Sequence, residues 1–317
     1  MLFRSREPAS SPEPIWFFPA FMTLLVGGGI LAARNLWLGR GDRRGAFRFA
    51  MAFVLIQTIG WVVEGGLSFS SESLFALISF AGVWSSLAAI FSMWYLALEP
   101  TVRRRWPWRL VASGRLLDGR LRDPLVGRDL LVGLAAGTVV SLLPRLLNFA
   151  AGWFGPPPIP LTFPVAPEMA FRFGPPVAWG VIIRFAGYSI SASIYTFMVA
   201  FVLHLILRKQ WLSWGAYVLF VTAQYSGIEP SLERVAYALV AALIMAVMVG
   251  RFGLLATLSA LFASMVWHLA PLTTDLSAWY APQGVVAALA IIGLAVYGFI
   301  ISVGANRLAL GGFLGDE

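Results

Sequence analysis

Three ionisable residues lie in or beside long apolar stretches and are the best candidates for a buried polar site: Glu64, Arg145 and Arg184. An ionised side chain is costly to place inside a bilayer, so a charged residue there indicates a functional site by default. Opposite charges lower this cost by pairing, and Glu64 with Arg184 is the candidate pair. The alternative is that the long arginine side chains reach the membrane interface without forming a site. Both interpretations remain open from the sequence.

Motifs of catalysis are missing from the chain. We find no H-E-x-x-H, G-x-S-x-G or Walker A sequence, and no glycine-rich loop, V-A-I-K lysine, H-R-D or D-F-G of a protein kinase. The chain has no cysteine and 2 histidines, which lie outside any carboxylate cluster and offer little to a zinc ion. We therefore predict no catalytic residue, no metal, no cofactor and no enzymatic activity in this chain.

An arginine-rich segment, residues 99–128, connects two apolar stretches. On a helical wheel its apolar side chains form one narrow stripe from Trp106 to Leu121, which predicts an amphipathic helix lying in the membrane plane. The arginines flank this stripe, so we predict contact either with anionic lipid headgroups or with a cytoplasmic partner. They are Arg103, Arg104, Arg105, Arg109, Arg115, Arg120, Arg122 and Arg128.

The composition excludes an ordinary soluble domain. Hydrophobic residues make up 59% of the chain and charged residues 12%, whereas a soluble chain has about 25% charged residues. One membrane crossing takes about 20 apolar residues, so the composition predicts an all-α, polytopic membrane helix bundle. The net charge of +8 comes from arginines at the ends of apolar stretches. It therefore indicates membrane orientation and not a nucleic-acid partner.

Nine apolar stretches predict about nine transmembrane helices. Three lie within residues 15–98, and the other six lie within residues 129–304. A proline-rich outer loop, residues 154–176, separates the fourth stretch from the fifth, since so many prolines exclude a helix. The predicted crossings are 15–38, 46–66, 74–98, 130–153, 177–207, 211–227, 232–249, 254–269 and 285–303.

The basic residues set the predicted orientation. Most of the 23 lysine and arginine residues lie near alternate ends of the predicted crossings, and such residues are retained in the cytoplasm. The segment 99–128 and the tail 305–317 are then cytoplasmic, and the polar tail 1–14 is outside. We predict a multi-pass protein of a bacterial inner (cytoplasmic) membrane, in contact with lipid and anionic headgroups.

Two long stretches and one pair of short motifs carry a family resemblance. They are AARNLWLGRGDRRGAFR at 32–48, LALEPTVRRRWPWRLVASGRLLDGRLRDPLVGRDLLVG at 96–133, and DLSAWYA with LAVYGF at 275–281 and 294–299. These stretches resemble the polytopic membrane region that follows the kinase domain in some bacterial serine/threonine protein kinases. The resemblance covers most of the chain, and the first two stretches are unlike generic membrane sequence.

The resemblance also implies an order of domains along the chain. In the family, a cytoplasmic kinase domain leads through one helix to an extracytoplasmic segment and then to the bundle, which puts the N-terminal flank of the bundle outside. This chain begins at Met1 just before the bundle and contains no kinase domain, so kinase activity is carried over to no residue here. We expect a stand-alone relative, a split-gene product or a piece of a longer kinase.

Two functions follow as expectations. The first is a non-catalytic membrane module of a signalling system, acting as anchor or sensor, whose basic segment docks a cytoplasmic kinase or another signalling protein. The alternative is a small-molecule transporter or permease subunit, in which Glu64, Arg145 and Arg184 line a cavity.

Overall fold

The computed structural model describes residues 17–65, 71–151, 175–226, 232–270, 277 and 281–303. Over this part of the chain 92% of the structure is helical and no strand occurs, which confirms the predicted all-α class. The predicted tails 1–14 and 305–317 and most of the proline-rich loop 154–176 lie outside the described residues.

Ten α-helices follow one another in the described part of the chain. A 3₁₀ turn, Pro107–Leu110, lies between α3 and α4, and a π-helical turn, Met248–Phe252, follows α8. The helices are α1 Phe17–Trp37, α2 Arg43–Val63, α3 Ser71–Arg105, α4 Val111–Leu117, α5 Pro124–Ala151, α6 Pro175–Leu207, α7 Gln210–Ser226, α8 Leu232–Val247, α9 Leu254–Leu269 and α10 Ala281–Val303.

Six of the described helices are long and apolar enough to cross a membrane, which makes this a multi-pass membrane protein. They are α2, α3, α5, α6, α10, and α8 with its π-helical turn. Each of the nine predicted crossings coincides with a helix, but α1 and α9 offer shorter apolar lengths and α7 is 17 residues long. The count of nine crossings and their orientation therefore stay predictions.

Helix α6 lies at the centre of the bundle, where it contacts α2, α3, α7, α9 and α10. On one side α1, α2 and α3 pack together, and on the other α5 packs against α9 and α10. Gly133 and Gly137 of α5 face the backbone of α9 at Ala256 and Ala260, where a Cβ atom would clash. Small residues at such crossings let two helices approach closely inside a bilayer.

Helix α3 extends past residue 98, where we predicted the crossing to end, and ends at Arg105 inside the basic segment. Pro100 lies inside the helix and has no N–H to donate to the carbonyl of Leu96. The Asn35 Nδ2 of α1 donates to that carbonyl at 3.0 Å and to the carbonyl of Ala97 at 3.1 Å. The side chain of a neighbouring helix thus replaces the hydrogen bond that proline removes.

The predicted amphipathic helix is shorter than the basic segment and divided. Pro107 begins the 3₁₀ turn, and α4 runs for one to two turns before Asp118 caps it and Gly119, with a φ of 80°, turns the chain. A positive φ favours glycine and ends a helix. Asp123 then accepts a hydrogen bond from the Leu125 amide at 3.0 Å, and α5 begins at Pro124, before the predicted residue 130.

Candidate functional site

The basic segment lies across one end of the bundle. Arg48 of α2 pairs with Asp118, with Nη1 and Oδ1 3.0 Å apart, and the Tyr297 hydroxyl of α10 donates to the Leu121 carbonyl at 2.8 Å. Ala112 of α4 is buried in a small apolar cluster with Val126 and Leu255. These contacts hold the segment against α2, α5, α9 and α10, so its arginines are presented from a fixed surface.

The arginines of this segment differ in their surroundings. Three of them form ion pairs: Arg103 with the buried Glu99 at 2.7 Å, Arg115 with Asp123 at 2.7 Å, and Arg128 with Asp129 at 2.8 Å.

Three further arginines of the segment, Arg104, Arg120 and Arg122, are exposed and have no ion pair among the described residues. The placement of the Arg105 side chain lies outside what the structure describes.

Arg109 stands apart, because it is 5% exposed. Its guanidinium carbon lies 3.8 Å from the centre of the Trp106 ring and 5.6 Å from that of Trp214. Burial lowers the pKa of Arg109 to about 10, so the side chain remains protonated at neutral pH. Its backbone packs against Gly253, whose φ of 99° and lack of Cβ permit this approach.

Glu64 and Arg184 meet at the opposite end of α2 and α6. The Arg184 Nη1 atom lies 2.7 Å from the Glu64 Oε2 atom, and the Arg184 Nη2 atom donates to the Tyr188 hydroxyl at 3.1 Å. The side chains of the pair are 18% and 15% exposed. Helix α5 contains Arg145, but the placement of its side chain lies outside the described residues.

Two glycines allow the pair to form. A Cβ atom on Gly180 would lie 2.5 Å from the Glu64 Cγ atom and 2.7 Å from the Gly60 carbonyl oxygen. On Gly60 it would meet the aliphatic part of Arg184. Because both positions lack a side chain, α2 and α6 approach closely enough for residues 120 positions apart in sequence to bond.

Aromatic rings surround the guanidinium group of Arg184. Its central carbon lies 5.6 Å from the Trp84 ring, 5.8 Å from the Phe80 ring and 5.9 Å from the Tyr188 ring. The Phe80 and Trp84 rings stack on each other, and Trp84 and Tyr188 meet edge to face. Cation–π contacts of this kind stabilise a desolvated guanidinium group.

The sequence interpretation missed Gln57. This residue is fully buried, and its Oε1 and Nε2 atoms have no hydrogen-bond partner among the described residues. Its amide lies over Gly187 of α6, and it precedes Glu64 on α2 by two helical turns, so both side chains share one face. That seven-residue spacing was the signal available in the sequence.

We call Gln57, Glu64, Trp84, Arg184 and Tyr188 the polar cluster. Besides the Gln57 amide, Glu64 Oε1, Trp84 Nε1 and Arg184 Nε are buried and have no hydrogen-bond partner in the described part of the chain. Buried polar atoms are normally paired with protein groups or water. The polar cluster therefore has unused donors and acceptors that suit a small polar molecule or ordered water.

Comparison with known proteins adds no assignment. No protein-family model, no curated protein and no solved structure matches this chain. Among the described residues, no group of three or more His, Asp or Glu side chains is placed to hold a metal ion. The basic segment and the polar cluster are the candidate functional sites of this chain.

Proposed function

We propose that this chain is a non-catalytic membrane module of a signalling system, anchored in the bacterial inner membrane, whose basic segment docks an acidic surface of a cytoplasmic protein. The observation that carries this proposal is the set of exposed guanidinium groups of Arg104, Arg120 and Arg122 at one end of the bundle, which have no ion pair with any described residue. The resemblance to kinase-linked membrane regions suggests a kinase or another signalling protein as the partner.

Fixed geometry favours docking over contact with headgroups alone. The segment is attached to α2 and α10 through Arg48 and Tyr297, so its charges keep defined positions. Complementary charge at defined positions gives a protein interface its specificity and speeds association. Attraction to anionic headgroups, by contrast, depends on the total positive charge near the membrane and not on which arginines carry that charge.

The test replaces the three unpaired arginines together, as Arg104→Gln, Arg120→Gln and Arg122→Gln. The matched control removes the same charge from the α1–α2 turn, as Arg40→Gln, Arg43→Gln and Arg44→Gln, where all three side chains are exposed. Both variants and the wild type are purified in gentle detergent, and co-purifying proteins are quantified by mass spectrometry. We expect the partner to fall by about tenfold in the first variant and to stay unchanged in the control.

A second measurement uses the protein so identified. Its binding to the purified wild type is measured at low and high salt, and electrostatic docking predicts weaker binding at high salt. Equal losses in the two triple variants contradict docking and support headgroup attraction. An unchanged protein profile in both contradicts a role of the basic segment in any partner contact.

The polar cluster favours a second candidate function, a small-molecule transporter, permease subunit or sensor. The specific observation is a buried ion pair beside a fully buried glutamine whose amide has no partner among the described residues. Intramembrane charges and polar side chains of this kind mark ligand pathways in many membrane proteins.

A further inference from the structure

The Arg109 side chain lies in an aromatic enclosure at the basic end of the bundle. Three tryptophan rings have their centres 3.8 Å, 5.6 Å and 5.9 Å from its guanidinium carbon, namely Trp106, Trp214 and Trp108. Trp106 is buried and Trp214 half-buried, whereas Trp108 is 57% exposed. We call these four residues the arginine cage, and Trp108 is the ring nearest to solvent.

Two hydrogen-bond donors of the Arg109 guanidinium group have no acceptor among the described residues. Its Nε and Nη1 atoms are buried and have no hydrogen-bond partner among the described residues, and no carboxylate of that part of the chain pairs with it. Arg184, the other arginine held among aromatic rings, pairs with Glu64. A buried charge is costly without a counter-charge, so an anion beside Arg109 would be stabilised by its guanidinium group.

A second polar atom is left over beside the same rings. Tyr217 is fully buried, its hydroxyl has no hydrogen-bond partner among the described residues, and its ring packs edge to face on Trp214 with centres 5.7 Å apart. The exposed Arg251 lies two residues before Gly253, on which the Arg109 backbone packs. Tyr217 thus packs on one ring of the cage, and Arg251 lies in the turn whose Gly253 contacts the Arg109 backbone.

We propose that the arginine cage binds a phosphoryl anion, with the Arg109 guanidinium group as its main ligand. A guanidinium group offers planar, paired donors that match the oxygens of a phosphate. The cage lies at an end of the membrane-spanning bundle, where lipid phosphates are concentrated, and this holds for either orientation of the protein. The phosphoryl group belongs either to an anionic lipid or to a soluble phosphorylated compound that enters past Trp108.

This site goes beyond the proposed docking function and is independent of it. Docking depends on exposed arginines, whereas the cage depends on a buried one. A variant that removes Arg109 can therefore lose the anion and keep the partner protein, and the triple variant at Arg104, Arg120 and Arg122 can do the reverse. One experiment can therefore contradict the anion site while the docking proposal stands, and the other can do the opposite.

The experiment compares wild type with Arg109→Gln and with Arg44→Gln, a control that removes an equal charge from an exposed position near the start of α2. Purified protein is titrated with phosphatidylglycerol and retained lipid is measured by native mass spectrometry. Thermal unfolding is measured in parallel with inorganic phosphate. We expect Arg109→Gln to weaken binding by about tenfold or more, because charge-assisted hydrogen bonds are lost, and Arg44→Gln to stay within about twofold of wild type.

The two probes identify the source of the phosphoryl group. Retained phosphatidylglycerol assigns a lipid, and stabilisation by inorganic phosphate assigns a soluble compound. If Arg109→Gln does not fold, Arg109→Lys takes its place, since lysine keeps the charge but not the planar donors, and we expect its binding to fall by about threefold or more. Equal binding by the Arg109 variant and wild type overturns the proposal, as does a wild type that binds neither probe.

Discussion

At the scale of single residues, Arg184 and Arg109 both lie among aromatic rings but are held in different ways. Arg184 has a carboxylate partner and a tyrosine hydroxyl within hydrogen-bond distance. Arg109 has aromatic rings close to it and no ion pair in the part of the chain that the structure describes. An ion pair neutralises a charge in place, whereas an arginine without one is suited to bind a charge from outside.

Replacing Gln57 by leucine tests the second candidate function. Gln57→Leu removes an amide that is buried without a partner among the described residues, so we expect the free energy of unfolding in detergent to rise by about 1 kcal/mol. If the polar cluster binds a small molecule, that molecule will disappear from the native mass spectrum of Gln57→Leu. Both quantities are measured on the same preparations.

Gln283→Leu is the matched control for that experiment. Gln283 is buried in α10, its Oε1 atom has no partner among the described residues, and it lies outside the polar cluster. A transporter or sensor acting through the cluster predicts that Gln283→Leu keeps the bound molecule. If Gln57→Leu keeps it as well, the cluster is a helix-packing feature and the second candidate function is wrong.

At the scale of helices, a side chain of α1 supplies a hydrogen bond that α3 loses at its proline. Pro100 leaves the Leu96 carbonyl without its helical donor, and Asn35 donates to it. Helix α3 therefore continues to Arg105 and carries Arg103 and Arg104 beyond the predicted helix end. The start of the basic segment thus depends on a hydrogen bond between two helices.

A double-mutant cycle measures that hydrogen bond. Asn35→Ala should lower the free energy of unfolding by about 1–2 kcal/mol, because the Leu96 carbonyl loses its donor. In a Pro100→Ala background the alanine N–H supplies that donor, and we expect the loss to shrink to less than about 0.5 kcal/mol. The measurement is reversible unfolding in mixed detergent, and the same loss in both backgrounds would show that Asn35 acts by other contacts.

At the scale of the whole molecule, the ends that we predicted to be cytoplasmic come together at one end of the bundle. At that end, Arg48 near the start of α2 bonds to Asp118 after α4. Tyr297 near the end of α10 donates a hydrogen bond to the carbonyl of Leu121 in the same basic segment. The Glu64–Arg184 pair lies at the other end of α2. These contacts place the starts and ends of three elements together, while the alternation of all the helices and the compartment that each end faces stay predictions.

The absence of cysteine from the chain makes the orientation directly testable. Single cysteines are introduced at two exposed positions, Ser71→Cys at the start of α3 and Arg120→Cys in the basic segment. The predicted orientation requires an impermeant maleimide to label Ser71→Cys on intact cells, and Arg120→Cys after the membrane is opened. The cysteine-free wild type is the blank, and the reverse pattern of labelling would invert the topology.

The features that the sequence alone predicted depend on properties of single segments, namely their hydropathy and their charged residues. Apolar stretches of membrane length must satisfy their backbone groups within helices, so the all-α class and the positions of the helices follow from hydropathy. The cost of charge in an apolar setting singled out Glu64 and Arg184 before any geometry was known. Helix ends were less predictable, since Pro100 in α3 is tolerated through a donor on another helix.

Tertiary structure alone decided which polar groups meet and which are buried. Glu64 and Arg184 are 120 positions apart, and their bond depends on close packing of α2 on α6 at Gly60 and Gly180. Arg109 and Arg120 look equivalent in the sequence, yet one is enclosed by tryptophans from two helical segments and the other is exposed. Sequence periodicity reports the face of one helix, whereas burial depends on the helices that pack against it.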